Sequence, residues 1–511
     1  MNLTPDFAAF ARAFRAGKNQ TAAASLVSDM QTPVAAALKL GYNKPNTFLL
    51  ESMEGGTVRG RYSIIGRAPD LIWRCEKDGK VSVNRNALKD AGTFTLVDRP
   101  PLEDLRALLA ECRIDDPDQP QPMAAGLFGY LGYDMVRYME RLPDGKPSGV
   151  DVPEALLMRP TLLAIFDQVE NKITLVTPVW FDKNQTAEAV YATAQTRLEE
   201  ALQDLQQPTP AFPLHGPLPL PASNGKLPDA STKEAAHPNM TETQFCAMVE
   251  RAKEYIKAGD IFQVVLSQRF ALPFSLRAFD LYRAIRRIDP SPFLFCFDFG
   301  SFSVVGSSPE ILVRVRDGKV TIRPIAGTRP RGVGNHTDAE LAAELLADPK
   351  ELAEHLMLLD LGRNDVGRVA KVGTVKVTAH NTIENYRHVM HIVSNVEGEL
   401  DAKHTPLEAL IAGFPAGTVS GAPKVRAMEI INELEPDRRG VYAGCIGYLG
   451  ANGNMDTAIA IRTAVVKDQT MYVQAGAGIV YDSDPQSEYR ECIAKARGLM
   501  RAAEEAVKGE V

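Results

Sequence analysis

The sequence predicts an α+β protein with mainly antiparallel strands, and three observations predict it. Short β-like runs alternate with turn residues and helical stretches, without the regular spacing of strand–helix–strand units. Pairs of such runs read as hairpins around Asp78-Gly79, Glu170-Asn171 and Asp317-Gly318. Near the C-terminus three strand-like runs, VYAGCIGYLG, MDTAIAIRTAVV and MYVQAGAGIV, lead into an acidic helix.

In chain order, FLLES (Phe48–Ser52) precedes a turn at Gly55-Gly56, and RYSIIG follows from Arg61. LIWRCEKDGKVSV is the first hairpin. Pro101–Arg113 has helical period, Gly126–Tyr138 reads as strand and then helix, TLLAIFDQVENKITLVTPVW is the second hairpin, and Thr186–Gln206 is a charged helix. Residues 207–238 differ in kind: prolines recur among small and polar residues, which cannot form a packed core. They are expected to be a surface connection between regions 1–206 and 239–511. The second region opens with a helix at Thr241–Ala258 and the strand IFQVVLSQRFAL. A helix at Ala278–Ile288, a turn at Asp289–Pro292, the strands FLFCFDF and FSVVG, and the third hairpin follow. Beyond the central helix come TVKVTAH, VMHIVSNVEGEL, a helix at Pro406–Ala412, a loop at Gly413–Lys424 and a helix at Val425–Leu434.

The central helix is DPKELAEHLMLLDLGRNDVGR, Asp348–Arg368. Asp348 suits the N-cap, Pro349 the first turn and Glu351 the third position of a capping box, and Gly362 is expected to end it. Leu352, Leu356 and Leu359 share one face, so the helix is either buried nearly all round or half-exposed with a solvated acidic side. Glu351, Glu354 and His355 form its polar stripe. Asp484 and Pro485 open a second helix in the same way, with Glu488 and Glu491 one turn apart and Lys495 one turn further. Two acidic helices facing each other across a pocket would offer carboxylate oxygens without thiolates, which suits a hard cation such as Mg2+.

Composition bounds the partners. With 511 residues, 45% hydrophobic and 24% charged, and a net charge of −7, the chain has neither the basic footprint of a nucleic-acid binder nor a polybasic membrane patch. No run reaches membrane-spanning length and the N-terminus lacks a signal-peptide core. Six scattered cysteines without CxxC pairing are ordinary for reduced thiols, so a cytoplasmic protein is expected. Gly444-Cys445-Ile446-Gly447 is not a nucleophile elbow, because Ala443 stands where glycine is needed; Cys445 is read as a buried apolar residue. No amidotransferase Cys setting occurs, since Leu449 stands where its glutamine would be.

Several polar and glycine clusters fall at strand ends: Ile325–Gly332, Gly417-Thr418, Arg462-Thr463 and Gly476-Ala477-Gly478. Backbone amides and an Arg fork are what a dicarboxylate ligand needs. His391, in the apolar strand VMHIVS, is either a hydrogen-bonded core histidine or a catalyst. Taken together, PIAGTRPRG, DxKExAEHxMLxDLxRND, GTVSGAPK, RxGxYxGxxGY, DTAIxIRT and QAGAGIVxDSxPxxEYxEC resemble the large subunit of anthranilate synthases, among the chorismate-utilising enzymes. FLLES, GRYSIIG and GLFGYLGYDMVRYMERLP extend the resemblance through the first half.

The resemblance implies two antiparallel sheets stacked between helices, an N-terminal regulatory region (1–206) and a chorismate-binding catalytic region (239–511). It implies Mg2+ held by Glu354 and Glu491 with Glu351 and Glu488 in support. Thr328, Gly327, Tyr442, Arg462, Gly476, Ala477 and Gly478 match substrate-binding positions. His391 and Thr418 match residues near the ring, and Glu310 matches the acid that protonates the departing C4 hydroxyl. Gln263 stands where isochorismate-forming members carry a water-activating lysine, and Ala326 where aminodeoxychorismate synthases show a ring-attacking lysine. Both favour ammonia at C2 and therefore anthranilate. The resemblance further implies a glutamine amidotransferase subunit as partner, in a heterotetramer, and feedback inhibition by L-tryptophan at Glu51, Ser52, Pro290, Ser291, Phe293 and Leu294.

Overall fold

The computed structural model describes residues 2–41, 44–54, 58–115, 121, 123–143, 146–210, 236–331, 337–386 and 389–508. The expected Gly55-Gly56 turn, Gly332 and residues 211–235 of the proline-rich segment lie outside the described residues.

All ladders between named strands are antiparallel, and they join into one hydrogen-bonded network that carries both halves of the chain. Thr47–Glu54 pairs with Phe293–Asp298, and Gly126–Leu131 pairs with Cys445–Gly450. The network has two layers because its apolar faces must be covered. One core is made of strand and connecting residues alone, among them Phe48, Phe128, Tyr130, Phe297 and Ile446. It is where sheet faces sheet, and its rings stack, with Phe48 at 4.7 Å from Phe128 and 5.1 Å from Phe297. Two further cores mix strand and helix residues and lie between the sheets and the outer helices. Ala155–Asp167 shows the consequence: it is buried at every position, and apart from Arg159, Thr161 and Asp167 its residues are apolar rather than alternating with polar ones. The α+β architecture of stacked antiparallel sheets flanked by helices is thus the one the sequence predicts.

Local chemistry explains the helix starts. Thr241 and Gln244 close a reciprocal capping box at the head of Glu242–Lys257, as do Thr337 and Glu340 at Asp338–Ala347. At the central helix, Pro349–Gly367, the Asp348 carboxylate accepts from the N–H groups of Lys350 and Glu351. Glu351 does not close the box but turns to Arg329, 3.3 Å away.

Two expectations about the central helix are corrected. It continues through Gly362 to Gly367. Gly362 is a packing residue, since a β-carbon there would approach Pro324 Cγ, in the connection between two strands, to 3.2 Å and crowd it. The helix is half-exposed, and its buried stripe is His355, Leu358, Leu359, Gly362 and Val366 rather than the Leu352–Leu356–Leu359 face, with Leu356 54% exposed.

Candidate functional site

Both acidic helices begin at the same place. Asp484 accepts from Ser487 N–H at 2.9 Å to start the C-terminal helix, Pro485–Lys508. Lys350, on the first turn of the central helix, reaches Asp482 at 3.3 Å just ahead of it. The carboxylates meet here. Burial holds Glu354 above the usual carboxylate range, and the charges of Glu351 and Glu491 push it the same way against Gln263 and Lys495. Glu354 accepts from Gln263 Nε2 at 3.3 Å. Burial likewise raises Glu488. Glu491 is bound by Lys495 at 2.7 Å, and Lys495 also donates to the Gly476 carbonyl at 3.0 Å. Glu351 is compensated as well, through Arg329. The polar stripe of the central helix is split, because His355 turns inward to Ser394 Oγ at 2.7 Å and burial lowers it to about 4.

The floor is the strand Thr470–Ile479, whose glycines face the site. Gly478 lies opposite Val265 and Gly476 opposite Ser267. A β-carbon on Gly478 would come within 2.5 Å of Gln263 Nε2, and one on Gly476 within 2.8 Å of Tyr442 Oη. Side chains from neighbouring elements cross directly over these two positions. Ala477, between them, points the other way into the helix-side core and is fully buried.

One wall carries His391, opposite Thr328 in the ladder between Ile325–Pro330 and Val389–Glu399. Its Nδ1 is 2.8 Å from the Gly327 carbonyl and 3.1 Å from Thr328 Oγ1. A carbonyl only accepts, so Nδ1 carries the proton and Nε2 is left as an acceptor. Burial lowers His391, with the Arg462 charge acting in the same direction. Gly327 adopts φ +69°, and a β-carbon there would crowd Glu351 Oε2 at 3.2 Å. Ala326 is buried opposite Ile392.

The facing wall carries Glu310, which accepts from Thr418 Oγ1 at 2.8 Å. Burial pushes its carboxyl up to about 7, against the pull of Thr418, Lys495 and Arg462. Arg462 sits at φ +49°, and its guanidinium reaches Asp289 at 3.4 Å. The structure therefore brings together a carboxyl able to stay protonated, a neutral imidazole, a guanidinium and two under-compensated carboxylates. Among the described residues no three metal-binding side chains close into a cage. Paired carboxylates that leave most of a cation's sphere to water and ligand suit Mg2+ rather than a closed all-protein site. The reading of Cys445 holds: it is buried, and its thiol is pushed up to about 12. Sequence reasoning missed Ser267, Glu435 and Arg439, buried beneath Tyr442.

A much larger cavity lies elsewhere among the described residues. About 930 Å3 opens beside Glu51, Ser52, Phe293, Leu294, Tyr448 and Asp456, whereas the two small cavities at Glu310 and at Arg462 hold about 30 and 10 Å3. FLLES and DPSPF meet there, with Ser52 opposite Phe293 and Glu51 opposite Leu294. Pro290 and Ser291 are not in this lining; Ser291 N–H is turned to Ser307 Oγ at 2.8 Å. The Glu51 carboxylate is already engaged by Tyr282 Oη and by Arg286 at 2.6 Å.

Similarity to known proteins agrees with this geometry. The family model described as chorismate binding enzyme matches residues 47–501, which sets the class. Anthranilate synthase component 1 of Cereibacter sphaeroides is 55% identical, over 98% of this chain and 97% of that protein. The Pseudomonas aeruginosa protein of the same name is 48% identical, over 93% of this chain and 94% of its own. The crystal structure of anthranilate synthase component I from Streptococcus pneumoniae superimposes with a TM-score of 0.74 at 38% identity, covering 93% of this chain and 99% of that one. The menaquinone-specific isochorismate synthase from Escherichia coli shares the fold, with a TM-score of 0.68 at 18% identity over 96% of this chain and 99% of its own. The chain belongs to the anthranilate synthase component 1 family of chorismate-binding enzymes. No described helix is long and apolar enough to cross a membrane.

Proposed function

We propose that this chain converts chorismate and ammonia to anthranilate and pyruvate, the first step of tryptophan biosynthesis, acting in the cytoplasm as the large subunit of an anthranilate synthase. The observation that carries the reading is Glu310: a carboxyl raised to about 7, hydrogen-bonded by Thr418 and standing within the electrostatic reach of Arg462 and Lys495. A general acid must hold its proton near the working pH, and a carboxyl raised to about 7 keeps a substantial protonated fraction near neutrality. Glu310 gives that proton to the C4 hydroxyl as the C4–O bond breaks and water leaves, while ammonia bonds to C2. Loss of the C2 proton and cleavage of the C3–O bond then leave the aromatic ring and release the enolate, which takes up a proton at its methylene to become pyruvate.

Arg462, Tyr442, Thr328 and the amides of Gly476 and Gly478 receive the two carboxylates of chorismate. His391, with Nε2 free to accept, stands beside the ring. Glu354 and Glu491 would hold Mg2+, with Glu351 and Glu488 behind them; when bound, the metal orients the ring carboxylate and neutralises charge. Gln263 cannot activate water as a lysine would, and Ala326 cannot attack the ring, which supports ammonia as the nucleophile. Purified chain incubated with chorismate, Mg2+ and ammonium at alkaline pH should develop anthranilate fluorescence; none would overturn the reading.

The chain would take ammonia from a glutamine amidotransferase subunit in a heterotetramer, since its own cysteines offer no amidotransferase setting. Glutamine should therefore support the isolated chain far less well than ammonium, and equal rates from both would contradict the partner. L-Tryptophan would bind as feedback inhibitor in the cavity beside Ser52 and Phe293. Three carboxylates line this cavity, Glu51, Glu384 and Asp456, and each already pairs with an arginine, so the ligand's ammonium would share one of them with Arg286, Arg323 or Arg314.

A further inference from the structure

We infer that Arg439 is a positioning residue that holds the proton-donating wall and the metal-side strand of the site in register; this rests on the roles proposed above for Glu310, Thr418 and Gln263. Its side chain is 1% exposed, and its donors are spent on two elements that carry site residues. One nitrogen donates to the Val419 carbonyl at 2.6 Å, the residue directly after Thr418. Another donates to the Val265 carbonyl at 2.6 Å, two residues after Gln263 and opposite Gly478. The rest of the fork grips Glu435 at 2.6 and 2.9 Å. Glu435 in turn accepts from both the N–H and the hydroxyl of Ser267 at 2.8 Å, opposite Gly476. The guanidinium also lies 5.5 Å from the centre of the Tyr442 ring, whose hydroxyl reaches over Gly476.

A single planar cation thus ties the Thr418 turn, the Gln263 strand and the underside of Tyr442 to one rigid point. Arg is suited to this because its five N–H groups lie in one fixed plane. Stability alone does not demand such a group, since a buried ion pair is often replaced by apolar residues of similar volume with little loss. The feature to be explained is where the spare donors go. They go to carbonyls flanking residues assigned to the chemistry, on segments far apart in sequence.

The test is the double substitution Arg439→Met with Glu435→Met, which leaves no uncompensated buried charge, beside wild type and Thr418→Val. Wild type must form anthranilate; if it does not, the functional reading fails and not this inference. In the double variant kcat should fall by about a hundredfold, the scale of a misplacement of about 1 Å in a catalytic group, with the fold retained by circular dichroism. Thr418 holds Glu310 down, so loosening it must raise Glu310 further. The basic limb of the kcat–pH profile should therefore move to higher pH, in the same direction as in Thr418→Val. A folded double variant with kcat near wild type, or with reduced kcat and an unmoved basic limb, would overturn the inference. Should the double variant not fold, Arg439→Lys, which keeps the charge beside Glu435 but not the fork, is read by the same two criteria. Failure of both to fold would make the role purely structural and overturn it as well.

Discussion

The cavity beside Ser52 and the site between the acidic helices are built on opposite electrostatic terms. In the first, Glu51 is closed off by Arg286 and Tyr282, Arg314 and Arg316 face Asp456, and about 930 Å3 stands open. In the second there is little open space, Glu354 and Glu310 are both held above their usual range, and the cations present, Lys495 and Arg462, are only partly spent. On the proposed function, the first is a preformed receptacle for a ligand of the right shape, and the second is an assembly of charges completed by what binds it. The difference teaches where each substitution should act: charge changes should matter most between the helices, and volume changes most at the cavity.

The largest effect should come from Glu354→Gln and Glu491→Gln. Each removes an oxygen charge from the proposed hard-cation site, and activity in the ammonia assay should be abolished while circular dichroism is unchanged. Substantial activity at ordinary Mg2+ would mean that these carboxylates merely pair with cations such as Lys495. Glu310→Gln should follow, lowering kcat by about 10²–10⁴ as expected for loss of a general acid. Glu310 donates only when protonated and its carboxyl lies at about 7, so wild-type kcat at saturating free ammonia should decline as pH rises through the carboxyl's pKa in the bound complex. That basic limb should vanish in Glu310→Gln; a limb that persists would assign it to another group. The smallest effect on turnover should be that of Ser52→Phe, which places a ring in the cavity beside Phe293. Its uninhibited rate should stay near wild type while the proposed tryptophan inhibition is lost, because inhibition needs differential binding to one state. A variant inhibited like wild type would place the feedback site elsewhere.

Much of this contrast was legible in the sequence, through local rules. Asp-Pro at two helix starts and acids one turn apart located both carboxylate pairs, because capping and i, i+3 spacing are properties of a few consecutive residues. The Thr337–Glu340 capping box was equally legible, and it marks the helix Asp338–Ala347 that the sequence reading did not assign. Gly362 was misread because a glycine's usual role at a helix end gave way to close packing against Pro324, a tertiary contact. Ala477 was placed with its glycine neighbours, although strand alternation turns it into the core. Glu435 and Arg439 were invisible for a different reason: beyond their mutual pair, their partners are backbone carbonyls and a serine up to 174 residues away, and no periodicity encodes that. The same holds for Glu51 and Arg286, separated by 235 residues.

The central claim is that the acidic helices form a cation site completed by the substrate. Its most direct test is calorimetric titration of Mg2+ into the isolated chain without ammonia, so that no turnover occurs, with chorismate present or absent, in wild type and in Glu354→Gln. The account predicts that chorismate tightens Mg2+ binding in wild type by about tenfold or more, within the usual range of coupling between sites. It also predicts that this binding is largely lost in Glu354→Gln. Mg2+ affinity that ignores chorismate, or that is the same in both proteins, would contradict it.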